Sequence, residues 1–266
     1  MPLLAARFSA LRARKERALI PFVMAGDPSP AATPAILEAL AAGGADVIEL
    51  GLAFSDPIAD GPTIQAAAQR ALDAGATLDT LFAAARAFRA AHDTPLVIMT
   101  YTNPVFRRGY ARFAAEAAAA GIAGVIISDL PPEEADEWCA AAAQHGLDTI
   151  FLLAPTSTAP RIARAAARST GFVYCVSRTG VTGARAALPA DLTDLVARLR
   201  AETDKPIAVG FGISTPEQVR DICAIADGAV VGSALVDLIA RHAGDPKLPS
   251  AVRDFIRSLK AATQRA

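Results

Sequence analysis

The sequence predicts an α/β protein of the (β/α)8 class, a TIM barrel with additional N-terminal and C-terminal helices. Three observations support this fold: a length of 266 residues, the alternation of apolar, β-branched runs with alanine-rich stretches, and the absence of any break in composition. A closed barrel of this class has roughly 250 residues. Strands that are apolar on both faces are typical of a parallel sheet covered by helices. We therefore expect residues 1–266 to form a single barrel domain.

Short apolar runs predict the strands, and alanine-rich stretches predict the helices. The predicted strands are residues 19–25, 46–52, 96–101, 124–129, 149–154, 172–177, 206–210 and 228–232. The predicted helices are residues 4–16, 30–42, 62–74, 78–91, 110–120, 132–144, 159–169, 190–202, 216–224, 234–241 and 250–262. Helix 4–16 precedes the first strand and helix 250–262 follows the last βα unit, so these are the additional helices.

Proline and glycine mark several of these helix ends. Pro30 and Pro216 follow Ser29 and Thr215, and proline is favoured at the first position of a helix. Glycines stand where helix C-terminal caps are expected, at Gly43, Gly75, Gly121 and Gly146. The main alternative fold is an open, doubly wound sheet. It is less favoured because no Gly-x-Gly-x-x-Gly sequence follows the first strand.

Composition makes several classes of protein improbable. A formal net charge of -1 gives no reason to expect nucleic acid or an anionic membrane as partner. No apolar run approaches the roughly 20 residues of a membrane span, and the N-terminus lacks the pattern of a signal peptide. The three cysteines, Cys139, Cys175 and Cys223, form no CxxC pair. Scattered thiols of this kind are typical of a reduced, cytoplasmic protein.

An acidic residue interrupts the second predicted strand. Glu49 lies inside an apolar run, and a buried carboxylate requires a partner or a function. The loop that follows carries Asp56 and Asp60, and Gly61-Pro62 comes directly after Asp60. One carboxyl group on a strand and another on a loop form an arrangement suited to acid–base chemistry on a small molecule.

Glycine clusters late in the chain indicate an anion site. They occupy residues 180–183, 210–214 and 231–234. The last two follow strands seven and eight, which is the usual phosphate site of this fold. Glycine lets backbone N–H groups approach phosphate oxygens, and a helix N-terminus adds partial positive charge. The clusters predict a phosphorylated ligand, although tight strand-to-helix turns with nothing bound would have the same composition.

The histidines and lysines exclude several catalytic mechanisms. The three histidines, His92, His145 and His242, fall near the ends of predicted helices, so a zinc site is not expected. Lys205 precedes a strand, at the wrong end of the barrel for a Schiff base. Carboxylate acid–base catalysis on a phosphate ester remains, with no metal and no organic cofactor in this chain.

Five segments together resemble the tryptophan synthase alpha chain family. They are residues 49–51, 54–65, 129–134, 177–183 and 210–214. The resemblance covers about residues 8–259 and is most specific in Phe54-Ser-Asp-Pro-Ile-Ala-Asp-Gly-Pro-Thr-Ile-Gln65. It implies a lyase that cleaves indole-3-glycerol phosphate into indole and glyceraldehyde 3-phosphate in tryptophan biosynthesis. Protonation of the indole ring at C3 would then supply the electron sink.

The resemblance also implies roles for particular residues. Glu49 matches the general acid/base, and Asp60 matches the group that accepts the indole N–H hydrogen bond. The matching phosphate binders are Gly183, Gly212, Gly232 and Ser233. The matching residues of the indole and glycerol pocket are Phe22, Ile64, Tyr101, Asp129, Tyr174 and Phe211. Thr182 lies in a loop that, by resemblance, closes over the substrate and contacts the Asp60 loop.

By the same resemblance, the chain works in an α2β2 complex with a beta chain that carries pyridoxal phosphate, and the Asp60 loop faces that partner. Ala53, where the family commonly has proline, and Ser128 are departures from the family pattern. A stand-alone indole-releasing lyase, an activating subunit without catalysis and a sugar-phosphate isomerase of the same fold are the alternatives. Intact Glu49 and Asp60 argue against the activating subunit, and the segment from Phe54 to Gln65 argues against the isomerase.

Overall fold

The structure, a computed structural model, describes residues 2–176, 190–210 and 212–264 of the chain. The strands are β1 (Ala18–Met24), β2 (Ile48–Gly51), β3 (Leu96–Thr100), β4 (Ile122–Ile127), β5 (Asp148–Ile150), β6 (Leu152–Leu153), β7 (Val173–Val176), β8 (Ile207–Gly210) and β9 (Gly228–Val231). The α-helices are α1 (Leu3–Ala13), α2 (Thr33–Gly43), α3 (Pro62–Asp73), α4 (Leu78–Ala91), α5 (Thr102–Arg108), α6 (Tyr110–Ala119), α7 (Asp136–Gln144), α8 (Ala159–Arg168), α9 (Ala190–Glu202), α10 (Pro216–Ile225), α11 (Ser233–Arg241) and α12 (Leu248–Lys260).

All strand pairings are parallel, in the order β5-β4-β3-β2-β1-β9-β8-β7-β6. The two ends of this order, β5 and β6, are separated in the chain by Phe151 alone. They are the two halves of one interrupted strand, and Phe151 itself accepts a hydrogen bond from the Tyr174 N–H at 3.1 Å. The sheet therefore curls into a barrel, which confirms the predicted (β/α)8 fold, with the fifth predicted strand divided in two.

Alternation along each strand separates two apolar cores. In β2, for example, Ile48 and Leu50 pack outward into the layer between the sheet and the helices. Residues of the opposite parity, such as Val97 and Ile126, fill the barrel interior. Leu4, Phe8 and Leu11 of α1 join this interior cluster. Because barrel interiors are filled by layers of side chains, α1 completes the core, and α1 and α12 are the predicted additional helices.

Three local predictions were wrong. The second helix begins at Thr33 rather than Pro30, and it is Gly44, with φ of 99°, that takes the left-handed conformation after it, not Gly43. The predicted helix 132–144 consists of a short 3-10 turn, Pro132–Glu134, followed by α7. Ala135 separates the two with φ of -94° and ψ of 14°, outside helical geometry.

Helix α5 was not predicted at all, because Asn103-Pro104 resembles a turn. Pro104 lies in the first turn of the helix, where the missing N–H has no intrahelical partner in any case. The carboxylate of Asp129, at the end of the neighbouring strand, accepts hydrogen bonds from the Thr102 N–H at 2.6 Å and the Thr102 hydroxyl at 2.9 Å. A side chain distant in sequence thus caps this helix.

Candidate active site

The Glu49 side chain points into the barrel interior, whereas the side chains of its neighbours Ile48 and Leu50 face outward. It is paired in register with Phe22 on β1 and Val97 on β3, and its exposed fraction is 0%. Within the described ranges, neither carboxyl oxygen has a hydrogen-bond partner. Burial, with a further contribution from the negative charge of Asp60, raises the pKa of Glu49 to about 8. The carboxyl group is therefore largely protonated at neutral pH and is able to donate a proton.

Asp60 lies on the loop between β2 and α3, and Tyr101 holds this loop in place. The Tyr101 hydroxyl donates to the Asp60 carboxylate at 2.9 Å and accepts the Ala59 N–H at 3.1 Å. The side-chain amide of Gln65 donates to the Asp60 carbonyl at 2.8 Å. Burial raises the pKa of Asp60, and the hydrogen bond from Tyr101 opposes that rise. Asp60 is thus held as a hydrogen-bond acceptor beside Glu49.

A cavity of about 190 Å³ joins the two acids to the glycine clusters. Its lining residues are Phe22, Glu49, Asp60, Ile64, Met99, Tyr174, Val176, Gly210, Gly212, Val230, Gly232 and Ser233. They come from the C-terminal ends of several strands, which is where active sites of this fold lie. The two carboxyl groups and the glycine-rich, anion-binding segments therefore line the same cavity.

The anion-binding end of the cavity is the start of α11. Gly232 precedes the helix and has no side-chain cap, and Ser233 is its first residue. The first N–H groups of a helix carry partial positive charge and point at whatever lies beyond. Among the described residues, a Cβ placed at Gly212 would meet no atom within 4 Å, and one at Gly232 would meet only Phe22, at 3.8 Å. The described residues thus leave space in front of these backbones, as an anion such as phosphate requires.

Two other glycines make room for aromatic rings. A Cβ on Gly51 would lie 2.6 Å from the Phe22 ring, and one on Gly210 would lie 2.7 Å from the Tyr174 hydroxyl. Tyr174 is buried, and burial together with the charges of Glu49 and Asp60 raises the pKa of its hydroxyl well above the ordinary value. The rings of Phe22 and Tyr174 can thus line the cavity beside Glu49.

A second, larger cavity of about 780 Å³ adjoins the first and shares Asp60, Met99 and Val176 with it. Ser128, Asp129 and Leu152 are among its other lining residues. The Asp60 side chain therefore lies between a narrow space that leads to the helix N-terminus and a wider space on the other side. A ligand with an anionic end and a bulky ring fits this shape.

The structure brings most of the predicted site residues together. The narrow cavity is lined by eight of them: Glu49, Asp60, Phe22, Ile64, Tyr174, Gly212, Gly232 and Ser233. Tyr101 contacts Asp60, and Asp129 lines the wider cavity while it caps α5. Thr182, Gly183 and Phe211 lie outside the described residues.

Three lining residues were missed by sequence reasoning, namely Met99, Val176 and Val230, whereas Gly210 belongs to the predicted glycine cluster 210–214. Met99 and Val176 lie two residues beyond interior positions of β3 and β7, so strand alternation could have identified both. The three histidines lie directly after α4, α7 and α11. In the described ranges, no group of three or more histidine, cysteine or acidic residues has metal-binding geometry.

The fold and the site together define a (β/α)8 barrel with paired carboxyl groups and an anion-binding helix N-terminus at its C-terminal rim. Comparison with known proteins gives the family. The family profile of the tryptophan synthase alpha chain matches residues 8–264. The tryptophan synthase alpha chain of Solibacter usitatus is 52% identical over 253 residues, 95% of either chain. That of Geobacter sulfurreducens is 49% identical over 262 residues, 98% of this chain and 99% of the other. The chain belongs to the tryptophan synthase alpha chain family.

Solved structures agree with this assignment. The crystal structure of tryptophan synthase subunit alpha from Legionella pneumophila has a TM-score of 0.91 and 36% identity, and covers 99% of this chain and 98% of that one. A Mycobacterium tuberculosis tryptophan synthase structure has a TM-score of 0.92 and 40% identity, with the same coverage. Among the helices in the described ranges, none combines the length and hydropathy needed to span a membrane.

Proposed function

We propose that this chain is the alpha subunit of tryptophan synthase and cleaves indole-3-glycerol phosphate to indole and glyceraldehyde 3-phosphate. The observation that carries the proposal is the pairing of Glu49 with Asp60 in one cavity. Glu49 is fully buried and has no hydrogen-bond partner among the described residues, a costly arrangement that a purely structural residue would not need. Family membership supports the same reaction.

The shape of the site orients the substrate. The phosphate lies at the N-terminus of α11, against Gly212, Gly232 and Ser233, with Gly183 as a further binder by resemblance. The glycerol passes Glu49, and the indole ring reaches the wider cavity beside Asp60, which accepts the indole N–H. The glycerol and the ring are surrounded by Phe22, Ile64, Tyr101, Asp129 and Tyr174, with Phe211 as a further pocket residue by resemblance.

The reaction then uses the Glu49 carboxyl group twice, first as an acid and then as a base. The neutral carboxyl group protonates indole C3, and positive charge develops on the ring nitrogen, where the Asp60 carboxylate stabilises it. Glu49, now ionised, accepts the proton of the glycerol hydroxyl next to the ring. The carbon–carbon bond breaks, its electrons return to the indole, and the hydroxyl carbon becomes the aldehyde. Glu49 ends the cycle neutral, and no cofactor in this chain takes part.

We further propose that the Asp60 loop meets a beta chain that holds pyridoxal phosphate, in an α2β2 complex in the cytoplasm. Ile58, two residues before Asp60, is 82% exposed, and Phe106 on α5 is 67% exposed. Large apolar side chains exposed near a site's mouth are favourable contacts for a partner. Closure of the Thr182 loop over the substrate would exclude water from the reactive indole.

An indole-release assay on purified chain, with and without a tryptophan synthase beta chain, tests the proposal. We expect indole and glyceraldehyde 3-phosphate in equal amounts, faster with the beta chain present, and at least about 100-fold slower with Asp60→Asn. Full activity without any response to the beta chain would favour the stand-alone lyase. Absence of indole release in both conditions would contradict the proposed reaction.

A further inference from the structure

Asp27 is a buried acid at the catalytic rim that the proposed reaction does not use. It follows β1, and its side chain is 2% exposed. Both of its oxygens accept hydrogen bonds from Arg70 of α3, from Nε and from a terminal nitrogen, each at 2.8 Å. A bidentate pair of this kind fixes the relative orientation of two groups as well as their distance.

Helix α3 begins two residues after Asp60, so its position determines where that carboxylate lies. The helix packs against the rim through small side chains, since Ala67, Ala68 and Ala71 belong to one apolar cluster with Phe22, Met24 and Val236. Packed helices can slide over one another by small shear movements. An alanine surface offers few large side chains to oppose such a movement, whereas a two-point ion pair does.

The loop after β1, which carries Asp27, is itself held firmly. Gly26, before Asp27, has φ of 93° and donates its N–H to the Thr33 hydroxyl at 2.9 Å. A Cβ at Gly26 would lie 2.4 Å from the Ala76 Cβ, so the β1 loop and the segment after α3 are in close contact. The hydrogen bonds from Arg70 to Asp27, aided by the charges of Asp27 and of Asp237 on α11, raise the pKa of Arg70, so the cation persists.

We infer that Arg70, through its ion pair with Asp27, is a positioning residue that sets the place of the Asp60 carboxylate. The inference rests on the proposed function, in which Asp60 stabilises positive charge on the substrate ring. A displacement of about 1 Å at a reacting group can lower a rate about 100-fold. Because that charge is greatest in the transition state, the loss is expected in kcat more than in KM.

The chain offers a matched control. Arg200 of α9 pairs with Asp227, which precedes β9 at the opposite end of the barrel. The exposed fractions of these side chains are 38% and 11%, against 36% and 2% for Arg70 and Asp27. Arg200→Met therefore removes an ion pair of similar exposure far from the proposed active site, although Asp227 keeps a second ion pair with Arg17. The variant separates a general loss of stability from a loss of positioning.

The test compares Arg70→Met, Arg70→Lys and Arg200→Met in the complex with the beta chain, at a temperature where each is folded. We expect Arg70→Met to lower kcat at least about 10-fold with KM within about threefold, Arg70→Lys to recover part of that loss, and Arg200→Met to stay within about twofold of wild-type kcat. Equal kcat values for Arg70→Met and Arg200→Met would overturn the inference. If Arg70→Met does not fold, Asp27→Asn takes its place under the same criterion.

A second readout does not depend on turnover. Among the described residues, Asp60 and Tyr174 are the ionisable groups that interact with Glu49, and the charge of Asp60 contributes to the raised pKa of Glu49. If the Asp60 carboxylate moves away in Arg70→Met, NMR titration should show a lower pKa for Glu49 than in wild type. An unchanged Glu49 titration would contradict the inference. An inactive wild-type enzyme would instead contradict the proposed function, while this titration would still report on the ion pair.

Discussion

The Tyr101 hydroxyl holds the Asp60 loop through two hydrogen bonds. It donates to the Asp60 carboxylate at 2.9 Å and accepts the N–H of Ala59 at 3.1 Å. Tyr101 follows β3, whereas Asp60 lies on the loop after β2. The ring also packs against Phe54 at the start of that loop, with 5.5 Å between ring centroids. A loop that carries a catalytic group is thereby tied to the rigid barrel.

Removal of this hydroxyl should slow the reaction without unfolding the chain. Hydrogen bonds to charged groups contribute about 1.5–3 kcal/mol, so we expect Tyr101→Phe to lower kcat/KM by about 10- to 100-fold. The pKa of Asp60 should rise in this variant, because the hydrogen bond from Tyr101 lowers it. Steady-state kinetics measure the first effect, and NMR titration measures the second. Tyr110→Phe, which removes the hydroxyl of a residue that lines neither cavity, should retain wild-type kinetics. A similar loss in both variants would contradict the role of Tyr101.

Glu49→Gln should abolish indole release and leave binding nearly intact. Glutamine has almost the same shape but cannot transfer the proton, and general acid–base groups contribute about 100- to 10,000-fold. Calorimetric binding of glycerol 3-phosphate should remain within about threefold of wild type, because the phosphate contacts lie at α11. Turnover close to the wild-type rate would exclude Glu49 as the acid.

The same residue should make stability depend on pH. The pKa of Glu49 is raised from 4.5 to about 8 in the folded chain, so the folded state binds more protons than the unfolded state between these values. This contribution to the free energy of unfolding is complete below about pH 4.5 and is lost as pH rises toward about 8. We expect the Tm of wild type to fall relative to that of Glu49→Gln between pH 5 and 9, as thermal melts would measure. A constant difference in Tm across that range would mean that the pKa of Glu49 is not raised.

Gly232→Val should weaken substrate binding more than it slows chemistry. The new side chain would occupy the space before α11, where Phe22 alone among the described residues lies within 4 Å of a Cβ. We expect KM to rise at least about 10-fold with a smaller change in kcat, the opposite of the Glu49→Gln pattern. Unchanged affinity for glycerol 3-phosphate would place the phosphate elsewhere.

Much of the fold and the site follows from local sequence patterns. Alternating βα segments predict the barrel because strand and helix periodicities are local properties. Glu49 is conspicuous because an acid inside an apolar strand has no local explanation, and the glycine clusters at 210–214 and 231–234 are conspicuous because they recur at strand ends. The resemblance to the family then assigns roles to residues such as Phe22 and Tyr174, which composition alone would not distinguish from core aromatics.

The tertiary structure decided which residues far apart in sequence contact one another. Helix α5 depends on a cap from Asp129, 27 residues away from Thr102, and the Asp27–Arg70 pair joins residues 43 apart. The left-handed residue is Gly44 rather than Gly43 because α2 ends at Gly43, where a Cβ would lie only 2.7 Å from the Ile256 Cβ. Sequence pattern therefore determined the type and order of most elements, although not of α5. Closure of the barrel decided which side chains meet. The interaction energy of two residues far apart in sequence depends on the distance between them, and only the folded chain defines that distance.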